Sequence, residues 1–157
     1  MKTLLFVCMA NICRSPALMA TFNHLALARK VDAHADSAGI GWVHVGERPS
    51  LRMFEAAKKR GILIDHKTQQ FQDSFFDLYD LILPVEADIA EQLKLRSPHH
   101  TKKIHLVTDF SRNYKGQPIP DPYYLSDNGF DEVFEMISDC CEGLLAYLGM
   151  DESKARV

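Results

Sequence analysis

A chain of 157 residues with 46% hydrophobic and 25% charged residues has the balance of a soluble globular protein. It is long enough for one domain, 1–157, that buries about two-thirds of its unfolded surface. A net charge of −3 leaves no broad basic footprint, which argues against nucleic-acid binding, and no run approaches the roughly 20 apolar residues of a membrane span.

The first element is Leu4-Leu5-Phe6-Val7, four apolar residues in a row, as expected of a strand buried on both faces of a parallel sheet. Directly after it comes Cys8-Met9-Ala10-Asn11-Ile12-Cys13-Arg14-Ser15-Pro16. Ser15 suits a helix N-cap and Pro16 the first helical turn. A strand, a tight loop and a helix start aim backbone N–H groups and a helix dipole at whatever lies above the loop, and the ligand they favour is an anion. Cys8 gives this cradle a nucleophile, and the N–H donors together with the Arg14 guanidinium favour its thiolate form. The same donors suit the equatorial oxygens of a phosphoryl group during in-line attack by sulfur, and the planar fork of Arg14 can grip two of them. Ser15 is placed to hydrogen-bond the thiolate. Asn11 and Arg14 also end the apolar stretch 3–10 too early for a secretory signal.

The first helix is expected over 16–29, with Leu18, Phe22 and Leu25 as its inward stripe. A short strand at 33–36 leads into a glycine-rich loop, 37–46. Pro49 and Ser50 start a second helix carrying Leu51, Phe54 and Ala57, and Gly61 is placed to end it. A buried strand follows at 80–83, a helix at 87–95 and a last strand at 103–107. Residues 116–127 read as loop by their Gly, Pro and Asp content. The final helix has the clearest periodicity: Phe130, Val133, Phe134, Ile137, Cys141, Leu144 and Leu148. The polar tail from 151 to 157 is expected to fray. Four strands alternating with helices imply a parallel sheet covered by helices, with ligands bound beyond the carboxyl ends of the strands.

The seven histidines show no familiar metal-ligand spacing, and no metal or cofactor is expected. Cys140 and Cys141 fit packing on the last helix. A domain of this size does not need disulfides, and a reactive thiol needs reducing surroundings, so the cytoplasm is the expected compartment.

The order of further motifs carries a resemblance. After Cys8, five residues, Arg14 and Ser15 come Ser37-Ala38-Gly39, Trp42, Val45-Gly46, Gly61-Ile62, His66, Pro120-Asp121-Pro122-Tyr123-Tyr124 and Gly129-Phe130. Over nearly the whole chain, 4–148, this series resembles the low-molecular-weight protein tyrosine phosphatases. The resemblance implies an α/β single-domain three-layer sandwich of the phosphotyrosine phosphatase I-like type, with a four-stranded parallel sheet and helices on both faces. It implies hydrolysis of phosphotyrosine proteins or small aryl phosphates through a phosphocysteine, by a monomer or weak homodimer. Cys8 would be the nucleophile, Arg14 the oxyanion clamp and Asp121 the general acid. Met9, Ala10, Asn11, Ile12, Cys13 and Ser15 would line the phosphate, and Trp42, Tyr123 and Tyr124 would wall the aryl ring. Ser37 and His66 would hold Asn11, and a reversible Cys8–Cys13 disulfide would switch the site off.

Each of these residues also has an ordinary reading. Cys8 can be a buried cysteine, Asp121 a turn residue, His66 a surface histidine and the three aromatics core side chains. Two departures from the family pattern stand out: Ala10 replaces a glycine, and Leu83-Pro84-Val85-Glu86 replaces a run of small residue, methionine and aspartate. Three other activities compete. Thiol-linked arsenate reduction needs further cysteines near Cys8, and none stands between Cys13 and Cys140. Protein-arginine phosphatases favour threonine where Ile12 stands. A phosphoryl carrier or phosphotyrosine-binding module has no use for a leaving-group acid such as Asp121.

Overall fold

In the computed structural model, which describes residues 1–122 and 127–155, strand β1 (Lys2–Cys8) forms the centre of a parallel sheet. Its two neighbours are β2 (Ala33–Gly39) and β3 (Leu81–Pro84), in the order β2-β1-β3. Register pairs Phe6 with Ser37 and Leu83, and Cys8 with Gly39. Leu4, Leu5, Phe6 and Val7 are all fully buried. Because successive side chains in a strand point to opposite faces, both faces of the sheet are covered.

The sheet differs from expectation at its edge. The fourth strand foreseen at 103–107 is reduced to a single parallel bridge, Ile82 to Ile104, with His105 N–H donating to Ile82 O (3.0 Å). Strand β3 offers little template for more: it is four residues long and ends at Pro84, which has no N–H to give. The chain at Val107–Phe110 then tightens into a 3₁₀ turn.

Helix α1 (Arg14–Ala28) packs against β1, β2 and the long helix α5 (Asp127–Ala155), burying Leu18 and Phe22. Helix α2 (Leu51–Lys58) follows Ser50, whose side chain accepts from Met53 N–H as an N-cap, and Gly61 ends that segment at φ +75°. A single turn, α3 (Phe75–Leu78), precedes β3, and α4 (Ala87–Arg96) packs against β3. The apolar stripe of α5, including Val133, Ile137, Cys141 and Leu144, is buried as its periodicity requires, and the helix continues to Ala155 rather than stopping near 150.

Candidate active site

Residues 8–14 connect the carboxyl end of β1 to the N-terminus of α1, at the edge the topology predicts for a ligand site. Helix α1 begins at Arg14, two residues earlier than expected, and Ser15 is not its N-cap. The cap position is Cys13, which makes no side-chain cap. Ser15 instead spends its hydroxyl on the loop, and the first-turn N–H groups keep no capping side chain to compete with an anion.

Asn11 is the hub. It is fully buried at φ +58°, a left-handed conformation that asparagine tolerates better than most residues. Its Oδ1 accepts from Gln69 N–H (2.9 Å) and from His66 Nε2 (2.9 Å), and its Nδ2 donates to Ser37 Oγ (2.9 Å) and Ser15 Oγ (2.7 Å). The backbone donor Gln69 N–H settles which end of the amide is oxygen. His66 must then carry its proton on Nε2, and it also lies 3.1 Å from Ser37 Oγ. Burial lowers its pKa from the usual value, keeping the ring neutral. Ser37 and His66 thus both contact the Asn11 side chain and each other.

The nucleophile candidate is reached from the same hub. Cys8 Sγ, nearly buried, accepts from Asn11 N–H (3.2 Å) and lies 2.9 Å from Ser15 Oγ. Since Ser15 Oγ already accepts from Asn11, its own proton is available to an ionised sulfur. Arg14 is buried, with Nη1 donating to Ile119 O (3.2 Å) and facing Glu86 Oε2 (3.4 Å), while Nη2 is 4.0 Å from Asp121 Oδ2. The altered 83–86 run thus places a carboxylate, Glu86, beside Arg14.

Asp121 is positioned by the segment before it. Ile119 N–H donates to Val85 O (3.1 Å), just past β3, and Ile119 is fully buried; Pro120 and Pro122 stiffen either side of the acid. Tyr123 and Tyr124 lie outside the described residues. Trp42 is 70% exposed, which rules out the core reading, and it follows Gly41, whose N–H donates to Met9 O (2.8 Å). Met9 is partly exposed and Ile12 packs against the core edge. Ala10 stands outside the left-handed region, so the backbone there tolerates its Cβ.

Three supports of the loop were not evident beforehand. Ser50 N–H donates to Ile12 O (2.7 Å), Ile40 N–H to Cys8 O (3.0 Å), and Gly39 lets the loop approach, since a Cβ there would lie 2.9 Å from Met9 O. The Ser-Ala-Gly run hinted at the last; nothing local marked Gln69, Ile119 or Ser50. Cys13 is a buried free thiol, pushed up to about 11 chiefly by burial, with Ser50 as a hydrogen-bonding neighbour that acts in the opposite direction. Cys140 and Cys141 are buried in packing, with Cys141 Sγ 3.7 Å from Leu18 O. Among the described residues no group of three His, Cys, Asp or Glu side chains is arranged to hold a metal ion, and no helix is long and apolar enough to cross a membrane.

Fold and site together define a thiol-centred oxyanion site at the end of a parallel strand, with a carboxyl group at its rim. Residues 3–154 match the family model for low molecular weight phosphotyrosine protein phosphatases. The chain is 36% identical over 151 residues to a low molecular weight protein-tyrosine-phosphatase of Streptomyces coelicolor, covering 90% of each chain. It is 33% identical over 149 residues to a low molecular weight phosphotyrosine protein phosphatase of Gallus gallus, covering 92% of this chain and 94% of that one. The crystal structure of a protein tyrosine phosphatase from Entamoeba histolytica superposes with a TM-score of 0.92 at 33% identity, over 97% of this chain and 99% of the other. The chain belongs to the low molecular weight phosphotyrosine protein phosphatase family. It is a phosphatase acting on phosphoproteins or small phosphate esters.

Proposed function

We propose that Cys8, Arg14 and Asp121 hydrolyse phosphotyrosine and small aryl phosphates in two steps. The Cys8 thiolate attacks phosphorus in line while the aryl oxygen leaves, taking its proton from the Asp121 carboxylic acid. Arg14 and the N–H groups of 9–15 hold the equatorial oxygens as charge spreads over them. Water then attacks the phosphocysteine, Asp121 carboxylate takes its proton, and phosphate departs as the thiolate returns to its hydrogen bonds from Asn11 N–H and Ser15. Met9, Ala10, Ile12 and Cys13 shape the phosphate cradle, and Trp42 with Tyr123 and Tyr124 flank the ring. Glu86 and Ile119 O aim Arg14. A disulfide between Cys8 and Cys13 would shield the nucleophile from irreversible oxidation, which suits a reducing cytoplasm exposed to occasional oxidants.

The observation that carries this reading is one sulfur, Cys8 Sγ, held at 3.2 Å by a loop N–H and at 2.9 Å from Ser15 Oγ, beside a buried arginine that reaches Asp121 at 4.0 Å. The test is turnover of para-nitrophenyl phosphate under reducing conditions with EDTA present. Cys8→Ser should abolish it and Asp121→Ala should lower it by about 10²–10⁴-fold, the range for a general acid. An Asp121→Ala enzyme as active as its parent would remove Asp121 from the mechanism.

A further inference from the structure

A cavity of about 370 Å³ lies between the segment entering α2 and the segment 64–67. Pro49, Leu51, Phe54 and Ile64 form its apolar walls. Ile64 belongs to the core, but Leu51 is 72% exposed and Phe54 only partly buried, so that part of the lining is not consumed by the core. Arg48 and Lys67 line it together with a single acid, Asp65, and neither cation makes an ion pair among the described residues. An apolar lining with one positive charge in excess complements a compact hydrophobic monoanion.

The cavity also has a place in the loop's support. Pro49 and Leu51 flank Ser50, whose N–H holds Ile12 O at 2.7 Å, and His66, also in the lining, holds Asn11 Oδ1 at 2.9 Å. One support of the catalytic loop, His66, therefore lines this cavity, and another, Ser50, lies between two of its lining residues in the chain. We propose that it is a second ligand site, for a small hydrophobic carboxylate, occupied independently of the catalytic loop and lined by His66, which holds Asn11 in that loop.

The probe is 1-naphthoate, titrated into the ¹⁵N-labelled protein with the catalytic loop saturated by orthovanadate. The expected result is movement of the Leu51, Phe54 and Ile64–Lys67 amides, accompanied by Asn11 and Ser50, with a Kd on the order of 1 mM for a ligand of this size. The neutral isostere 1-naphthalenemethanol should bind at least about tenfold more weakly, because it forfeits the two cations. The exposed double variant Arg48→Glu/Lys67→Glu should lose naphthoate binding by a similar factor while retaining para-nitrophenyl phosphate turnover. Shifts confined to residues 9–14 and abolished by orthovanadate would assign the probe to the catalytic loop and overturn the second site. Equal affinity for the neutral isostere, or an unchanged Kd in the double variant, would overturn the charge argument on which the ligand class stands.

Discussion

Truncating Asn11 to alanine removes the one side chain that binds four different residues around the loop. Two half-buried donors, Gln69 N–H and His66 Nε2–H, lose this acceptor, and Ser15 and Ser37 lose a donor. An abandoned buried polar group costs about 1–3 kcal/mol, and the two stranded donors together amount to about 2–4 kcal/mol when part of the loss is recovered by relaxation. Alanine must also take the left-handed φ of +58°, which adds about 1 kcal/mol for a residue without asparagine's local hydrogen bonding. Asn11→Ala should therefore lose about 3–5 kcal/mol, a large share of the ~5–15 kcal/mol available to a domain. Asn11→Gly leaves the same donors stranded but has no left-handed penalty, so it should be more stable than Asn11→Ala by about 1 kcal/mol. Asn11→Asp keeps both acceptor bonds, yet draws the Ser15 hydroxyl toward its own carboxylate and away from Cys8. It should fold better than Asn11→Ala and still lose about 10–100-fold in turnover, the equivalent of a hydrogen bond to a charged atom. Urea unfolding followed by far-UV circular dichroism gives the stabilities, and para-nitrophenyl phosphate the rates. A loss below 1 kcal/mol for Asn11→Ala, or a glycine variant no more stable than the alanine one, would refute the hub.

Gly39→Ala puts a Cβ 2.9 Å from Met9 O and 3.0 Å from the Ala10 carbonyl carbon, both backbone atoms. It should cost about 1–3 kcal/mol and displace the loop, lowering kcat; a variant matching its parent in both would show slack at this contact. Stability should depend on pH at both ends. Cys13 and Cys140, pushed up to about 11 and about 12 by burial, hold their protons more tightly when folded. Their contribution is complete below about pH 9 and declines as pH rises toward 11, so the urea midpoint should fall over that window. His66 has the opposite sign: burial lowers its pKa below 6.5, so its contribution is present above that pH and is lost on acidification through the folded value. A midpoint that stays constant as pH rises above 9 would remove the buried-thiol account. Peroxide should inactivate the enzyme reversibly, with activity restored by a thiol, whereas Cys13→Ala should not recover; full recovery without Cys13 would exclude it as the resolving thiol.

The strand, loop and helix around Cys8 were legible because their determinants are contiguous. Four apolar residues, a thiol, an arginine and a first-turn proline constrain one another through local geometry. Helix starts were less legible: Ser15 has the chemistry of a cap, but Asn11 and Cys8 compete for its hydroxyl, and the helix begins at Arg14 instead. The edge of the sheet was misjudged for a related reason. Residues 103–107 have a strand-like composition, yet pairing depends on the partner, and β3 is too short to hold more than the Ile104 bridge.

From residue order alone one can read the thiol in its anion cradle, the alternation of strands and helices, and the acid between two prolines. Tertiary structure decided what restrains them. Arg14 is aimed by Glu86, 72 positions away, and by Ile119, 105 positions away, and Asn11 is oriented by Gln69 at a separation of 58. Backbone groups such as Gln69 N–H and Ile119 O are present at nearly every position of any chain, so no residue type announces them. Only the fold, by bringing the ends of β1 and β3 side by side, determines which of those identical groups meets the site.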